Sequence, residues 1–188
     1  MFSNYVGVDL GTTYLAFATL RVNNLKEESR LEYSFVKFPP DLPSPELHRR
    51  ITEAVFFAIR GGQPPLIPWY TQGFVEGVFM GLNARTFARM TRVSHSVQIA
   101  LFEHSVKNRE IDPKAWRKAL FGKAMTKKEE GLQWAKENLP GLEDVPKSKK
   151  EHLSEAAMIA LAGRSLVEPE HNSGTGSIRS GEVKSLSL

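Results

Sequence analysis

Residues 4–22 read NYVGVDLGTTYLAFATLRV. Two short apolar runs flank a Gly11-Thr12-Thr13 turn, which is the pattern of a β-hairpin. An acid interrupts the first run, since Asp9 lies between Val8 and Leu10. A carboxylate inside an apolar strand is costly unless it is paired or bound to a cation.

After a polar turn, LEYSFVKF at 31–38 predicts a third strand and completes an antiparallel meander. Prolines 39, 40, 43 and 45 punctuate the next turn. Pro45 suits the first turn of a helix over 45–60, where Leu47, Ile51, Ala54, Val55 and Ala58 keep helical spacing. Gly61-Gly62 stops that helix, and PPLIPWY is a proline-broken connection. GFVEGVFM at 73–80 predicts a short apolar strand carrying one carboxylate, Glu76. Asn83 caps a long helix over 84–104, with Phe87, Met90, Val97 and Leu101 among its apolar positions. Residues 107–111 predict a fifth strand, and Pro113 opens a helix containing Trp116. Thr126 with Glu129, and Ser148 with Glu151, form capping boxes for two further helices. The second of these runs through the apolar stretch from Leu153 to Leu166. The segment 168–188 is polar and Gly/Ser-rich and reads as a flexible tail. This order predicts an α/β fold, a mixed five-stranded sheet with helices on both faces.

The chain of 188 residues suits one domain, here 1–167, followed by the tail. It has no cysteine, which excludes a disulfide framework, a thiolate zinc site, an iron–sulfur cluster and a cysteine nucleophile. No apolar run is long enough to span a membrane, and no signal peptide is expected. The expected compartment is the cytoplasm, bacterial or, for a phage-encoded chain, that of the host. Net charge is +4, unevenly placed: −1 over residues 1–84, +8 over 85–128 and −3 over 129–188. A basic block within a nearly neutral protein points to a polyanion partner.

Glu76 and Glu155 repeat the anomaly of Asp9, each sitting in an otherwise apolar element. His152 precedes Glu155 by three residues, which places both on one face of a helix. Each has a plain structural reading. Asp9 fits a turn residue, Glu76 a strand-end partner for a basic neighbour, His152 a first-turn residue, and Glu155 a complement to the helix dipole. Taken together, on separate core elements, they predict a shared site for a hard divalent cation. Glu151 is read as part of its capping box.

VGVDLGTT, FVEGVFM and HLSEAAMIALA occur in the order and at roughly the intervals seen in RuvC-like Holliday-junction resolvases, of the ribonuclease H-like superfamily, which residues 3–166 resemble. The resemblance implies a catalytic and metal-binding set of Asp9, Glu76, His152 and Glu155, with Glu at 155 where the family has Asp. It implies two Mg²⁺ ions per site, with Mn²⁺ able to substitute, and a catalytic lysine, Lys127, with Lys123 and Lys128 as rivals. It implies Phe79 stacking at the junction centre, a DNA surface including Arg117, Lys118, Lys123 and Lys128, and a homodimer through the helix at 84–101. The expected activity is paired cleavage of branched DNA leaving 5′-phosphate ends. DLGTT also opens the phosphate-binding hairpin of actin-like ATPases and sugar kinases, and a non-cutting nucleic-acid-binding protein of the same fold is a further alternative.

Overall fold

The computed structural model describes residues 2–26, 28–60, 70–78, 81, 83–124, 127–168 and 178–186. Strands β1 (Phe2–Leu10), β2 (Tyr14–Asn23) and β3 (Glu28–Lys37) form the antiparallel meander. Helix α1 (Ser44–Arg60) leads to β4 (Tyr70–Glu76), which pairs parallel to β1. Helix α2 (Ala84–Glu103) leads to β5 (Lys107–Ile111), parallel to β4. Helices α3 (Pro113–Phe121), α4 (Lys128–Asn138) and α5 (Lys147–Val167) follow.

The five expected strands are present, and a sixth joins them. Residues 178–186, expected within a polar tail, form β6 (Ile178–Leu186), parallel to β3, so the sheet order is β5-β4-β1-β2-β3-β6. An edge strand can be held by backbone hydrogen bonds, for which the sequence carries no apolar signal.

Alternation along the strands builds two cores. Val6, Val8, Leu10, Leu15, Phe17 and Val75 face α1 and α2. Tyr5, Ala16, Ala18, Leu20 and Phe74 face α5 and its neighbours. Asp9 follows Tyr5 and Gly7 at a period of two and falls on the α5 side. So does Glu76, two residues after Phe74. Because Val8 is in register with Val75, both acids stand at the carboxyl ends of adjacent parallel strands.

Local chemistry explains the helix ends. The Asn83 side chain accepts from the Thr86 amide at 2.9 Å at the start of α2. Asp112 accepts from the Lys114 and Ala115 amides, and Pro113 occupies the first turn of α3. Gly122, at φ 72°, closes α3 in the left-handed conformation. At the end of α1, the Thr19 hydroxyl donates to the Ala58 carbonyl at 2.8 Å, and Arg21 donates to that of Ile59 at 3.1 Å. The Ser148–Glu151 capping box does not form: Pro146 is the N-cap of α5, so Ser148 already lies inside the helix. Of the other box, Thr126 lies outside the described residues, and Lys127 occupies the N-cap position of α4.

Candidate active site

Helix α5 sits unusually close to β1, and Gly7 permits it. A β-carbon on Gly7 would lie 2.1 Å from the Ala156 carbonyl oxygen and 2.5 Å from the Ala160 amide nitrogen. This close approach brings the first turns of α5 over the end of β1. His152 Nδ1 lies 3.0 Å from Asp9 Oδ2. Asp9, His152 and Glu155 each offer a ligand atom, all within 4.8 Å of one another. Asp9 is only 3% exposed, while His152 and Glu155 are half-buried and face a cleft of about 410 Å³. Glu76 stands beside them at the end of β4, where its Oε1 accepts from the Trp116 indole Nε1 at 3.1 Å.

Burial first, and then the charges of their neighbours, shift the titration of these acids. Burial, then the charge of Asp9, pushes Glu76 up to about 7, against the opposing effects of Trp116 and Arg117. Burial, then Asp9, Glu76 and Glu151, pushes Glu155 up to about 8. Burial raises Asp9 above the usual carboxylate range although contact with His152 opposes it. Burial disfavours the His152 imidazolium, but Asp9, Glu151 and Glu155 outweigh that and its pKa ends above the ordinary value. Carboxylates held this close need either protons or a cation between them. The donors brought together are two carboxylates and one imidazole, with Glu76 alongside but outside that group, and a set dominated by hard oxygen fits a hard divalent cation.

The basic residues divide. Arg117, Lys127 and Lys128 line the same cleft as His152 and Glu155. Arg117 lies over the Trp116 ring, 4.8 Å from its centroid. Lys128 is ion-paired with Glu151 across the cleft, so Glu151 links α4 to α5 instead of capping a helix. Lys123 is exposed and pairs with Glu130 at 3.6 Å. Lys118 is exposed, and neither it nor Lys123 lines the cleft. Phe79 lies outside the described residues.

Sequence reasoning missed two contributors. Tyr14 lines the cleft, its ring centroid 4.0 Å from that of His152. The signal was the alternation of β2, since Tyr14 shares a face with Ala16, and Ala16 pairs with Asp9. Trp116 had no comparable signal: its role depends on β4 and α3 meeting in space.

No family model and no curated protein matches this sequence. Solved structures do. A Thermus thermophilus RuvC structure is 24% identical with a TM-score of 0.68, over 90% of this chain and 97% of that one. T. thermophilus RuvC in complex with Holliday junction substrate gives 23% identity and a TM-score of 0.65, over 90% and 96% of the two chains. Fowlpox virus resolvase in complex with substrate Holliday junction DNA gives 11% identity and a TM-score of 0.53, over 87% and 98%. Shared over nearly the whole chain, this architecture identifies the fold as the ribonuclease H-like α/β fold seen in RuvC.

Proposed function

We propose that this chain is a divalent-metal-dependent, structure-selective DNA endonuclease that resolves Holliday junctions by paired cleavage. The observation that carries the reading is the meeting of Asp9, His152 and Glu155, with Glu76 alongside, at the carboxyl ends of parallel strands. In open α/β sheets that is where ligands bind. Two neighbours of the same fold were captured with junction DNA, which supports a branched DNA substrate.

Asp9, Glu76, His152 and Glu155 would hold the metal. Two Mg²⁺ ions bound there would supply an activated water and neutralise charge on the leaving 3′ oxygen. The chain's own residues do the remaining work. The Asp9 carboxylate keeps His152 turned toward it, and the Trp116 N–H orients the Glu76 carboxylate. Lys127, at the start of α4, lines the cleft, which supports it over Lys123 as the lysine that would offset charge on the phosphate under attack. Arg117 extends the positive wall along which the DNA backbone would run, and Lys128 would join it on exchanging its Glu151 partner for a phosphate. Hydrolysis on the 3′ side would leave a 5′-phosphate and a 3′-hydroxyl.

A four-way junction has two equivalent strands to cut, so a twofold dimer presenting two sites suits it. Two residues of the stripe read in the sequence serve the chain's own fold. Val97 and Leu101 are fully buried in the chain's own core, and Met90 packs against it. The outward residues of α2 include Ile99, 38% exposed, and Phe102, 77% exposed. The proposed dimer contact is this outer face.

The kinase-like reading of DLGTT finds no support in the turn itself. The Tyr14 ring covers Gly11, where a phosphate would need open backbone.

Incubating the protein with a synthetic four-way junction, a fork and a linear duplex, with and without Mg²⁺, tests the proposal. The expected result is Mg²⁺-dependent cutting of the junction in preference to duplex. Asp9→Asn and Glu76→Gln should lower cleavage by more than the ~10–100-fold typical of residues that only support metal ligands, while junction binding persists. Substantial cutting by either variant would sink the assignment.

A further inference from the structure

We propose that Tyr14 is a positioning residue of this centre, its ring seated on the bare backbone of Gly11 and holding the His152 imidazole in the orientation that turns Nδ1 to Asp9. The proposal rests on the nuclease reading of the site and assigns the DLGTTY turn a part in it.

Gly11 is not among the glycines with positive φ, so conformational freedom is not why a glycine stands there. Space is the reason. A β-carbon on Gly11 would lie 2.1 Å from Tyr14 Cε1 and 2.4 Å from both Cδ1 and Cζ. The Gly11 amide also donates to the Tyr14 carbonyl at 3.0 Å, which closes the turn and returns Tyr14 over the glycine. On its other sides the Tyr14 ring meets His152 at 4.0 Å between centroids, tilted by 35°, and stacks on Phe35 at 5.6 Å. An imidazole standing free in solvent would sample several rotamers. The Tyr14 ring on one side and the Asp9 carboxylate at Nδ1 favour one of them for His152.

The Tyr14 side chain also hydrogen-bonds the Asp9 carboxylate, so its ring walls His152 while its hydroxyl donates to the acid that His152 faces. A carboxylate beside Nδ1 favours the proton on that nitrogen and leaves Nε2 with its lone pair available as a ligand. Loss of a group that orients a metal ligand typically costs ~10–100-fold in metal affinity or activity.

The test uses Tyr14→Ala, Tyr14→Phe, Gly11→Ala and the Gly11→Ala/Tyr14→Ala double variant. Three quantities are read: Mn²⁺ affinity by electron paramagnetic resonance, the His152 ring nitrogens by ¹⁵N NMR, and junction cleavage. Tyr14→Ala should lose ~10–100-fold in Mn²⁺ affinity and in cleavage, and its His152 signals should change from one tautomer to an averaged pattern. Tyr14→Phe keeps the ring against His152 but loses the hydroxyl contact to Asp9, so it should restore the single tautomer and recover part of the Mn²⁺ loss. Gly11→Ala should resemble Tyr14→Ala, because its methyl displaces the ring. Added to Tyr14→Ala it should cost nothing further, because no ring remains to be displaced. If Gly11→Ala does not fold, the two Tyr14 variants decide the matter. Unchanged Mn²⁺ affinity and an unchanged His152 tautomer in Tyr14→Ala would overturn the proposal, even if the wild type cuts junctions. If the wild type cuts no DNA, yet Tyr14→Ala loses Mn²⁺ and the fixed tautomer, the nuclease reading fails and the positioning role stands.

Discussion

Helices α2 and α5 are of similar length and lie on opposite faces of one sheet, but they are buried to very different degrees. Helix α5 buries Leu153, Ser154, Ala156 to Ala160, Ala162 and Gly163, so it is enclosed on several sides. Helix α2 buries only Val93, Ser94, Val97, Ala100 and Leu101 and leaves Ile99 and Phe102 in solvent. Small residues explain the first. Gly7 lets the backbone of α5 rest on β1, and on α5 itself Gly163 leaves room for the Phe74 ring, whose Cδ2 would lie 2.3 Å from a β-carbon there. A helix held so closely fixes its side chains to a fraction of an ångström, as a catalytic set requires. A helix packed along one stripe keeps its other face free for a partner. The tightest packing thus lies under the proposed metal-binding residues, and the looser packing lies under the face proposed for assembly.

The largest effect expected is from breaking the close seat of α5. Gly7→Val would drive methyl groups into backbone atoms of Ala156 and Ala160, which cannot rotate away. Overpacking of this kind costs about 3 kcal/mol or more, and at ~2–4 °C per kcal/mol the thermal midpoint should fall by about 6–12 °C. Calorimetry checks this, with Gly77→Ala as the control. There the nearest atom is the flexible end of Glu110, 3.0 Å away, and little should change.

Charging the open face of α2 should leave the fold intact and alter assembly. Ile99→Glu/Phe102→Glu replaces exposed apolar groups, so its midpoint should stay close to that of the wild type. Sedimentation should report monomers. A supercoiled cruciform plasmid should give nicked circles where the wild type gives linear product. Val97→Glu, by contrast, places a charge in a fully buried position and should not fold. A stable dimer of the double variant would remove α2 as the seam.

The smallest effect sharpens the account of the acids. Burial and the neighbouring carboxylates push Glu76 up to about 7 and Glu155 up to about 8, from an ordinary value of 4.5. Groups raised in this way stabilise the fold fully below about 4.5, and that stabilisation is lost as pH rises through the folded values. With a chelator present, the midpoint should therefore drop by several degrees between pH 5 and 8, apart from other titrations. Excess Mg²⁺ should restore more at pH 8 than at pH 5, because protons no longer compete for the carboxylates. An equal Mg²⁺ gain at both pH values would contradict a cation site made of these acids.

Most of the strands and helices were legible because apolar residues recur at periods of two and of about 3.6. The acids were legible because a carboxylate is out of place in an apolar element, which is why Asp9, Glu76 and Glu155 stood out before any fold was known. The end of the chain was not legible. Strand β6 pairs along β3 through its backbone, and its sequence keeps neither an apolar run nor a clean alternation. The stripe on α2 was legible as apolar, but Val97 and Leu101 proved to face the chain's own sheet. Hydrophobicity says that a face will be covered and does not say by what.

Residue types at short spacing were enough for the element order as far as α5, for the two-sided burial of the sheet and for picking out the acids that interrupt apolar elements. Only the tertiary structure decided which groups meet. It set His152 3.0 Å from Asp9, placed the Trp116 N–H on Glu76, and separated Arg117, Lys127 and Lys128 on the cleft from Lys118 and Lys123 outside it. It also gave Gly7 and Gly11 their meaning. A glycine in a sequence shows only that a side chain is missing, and what fills that space comes from residues distant in the chain or from the way a turn folds back.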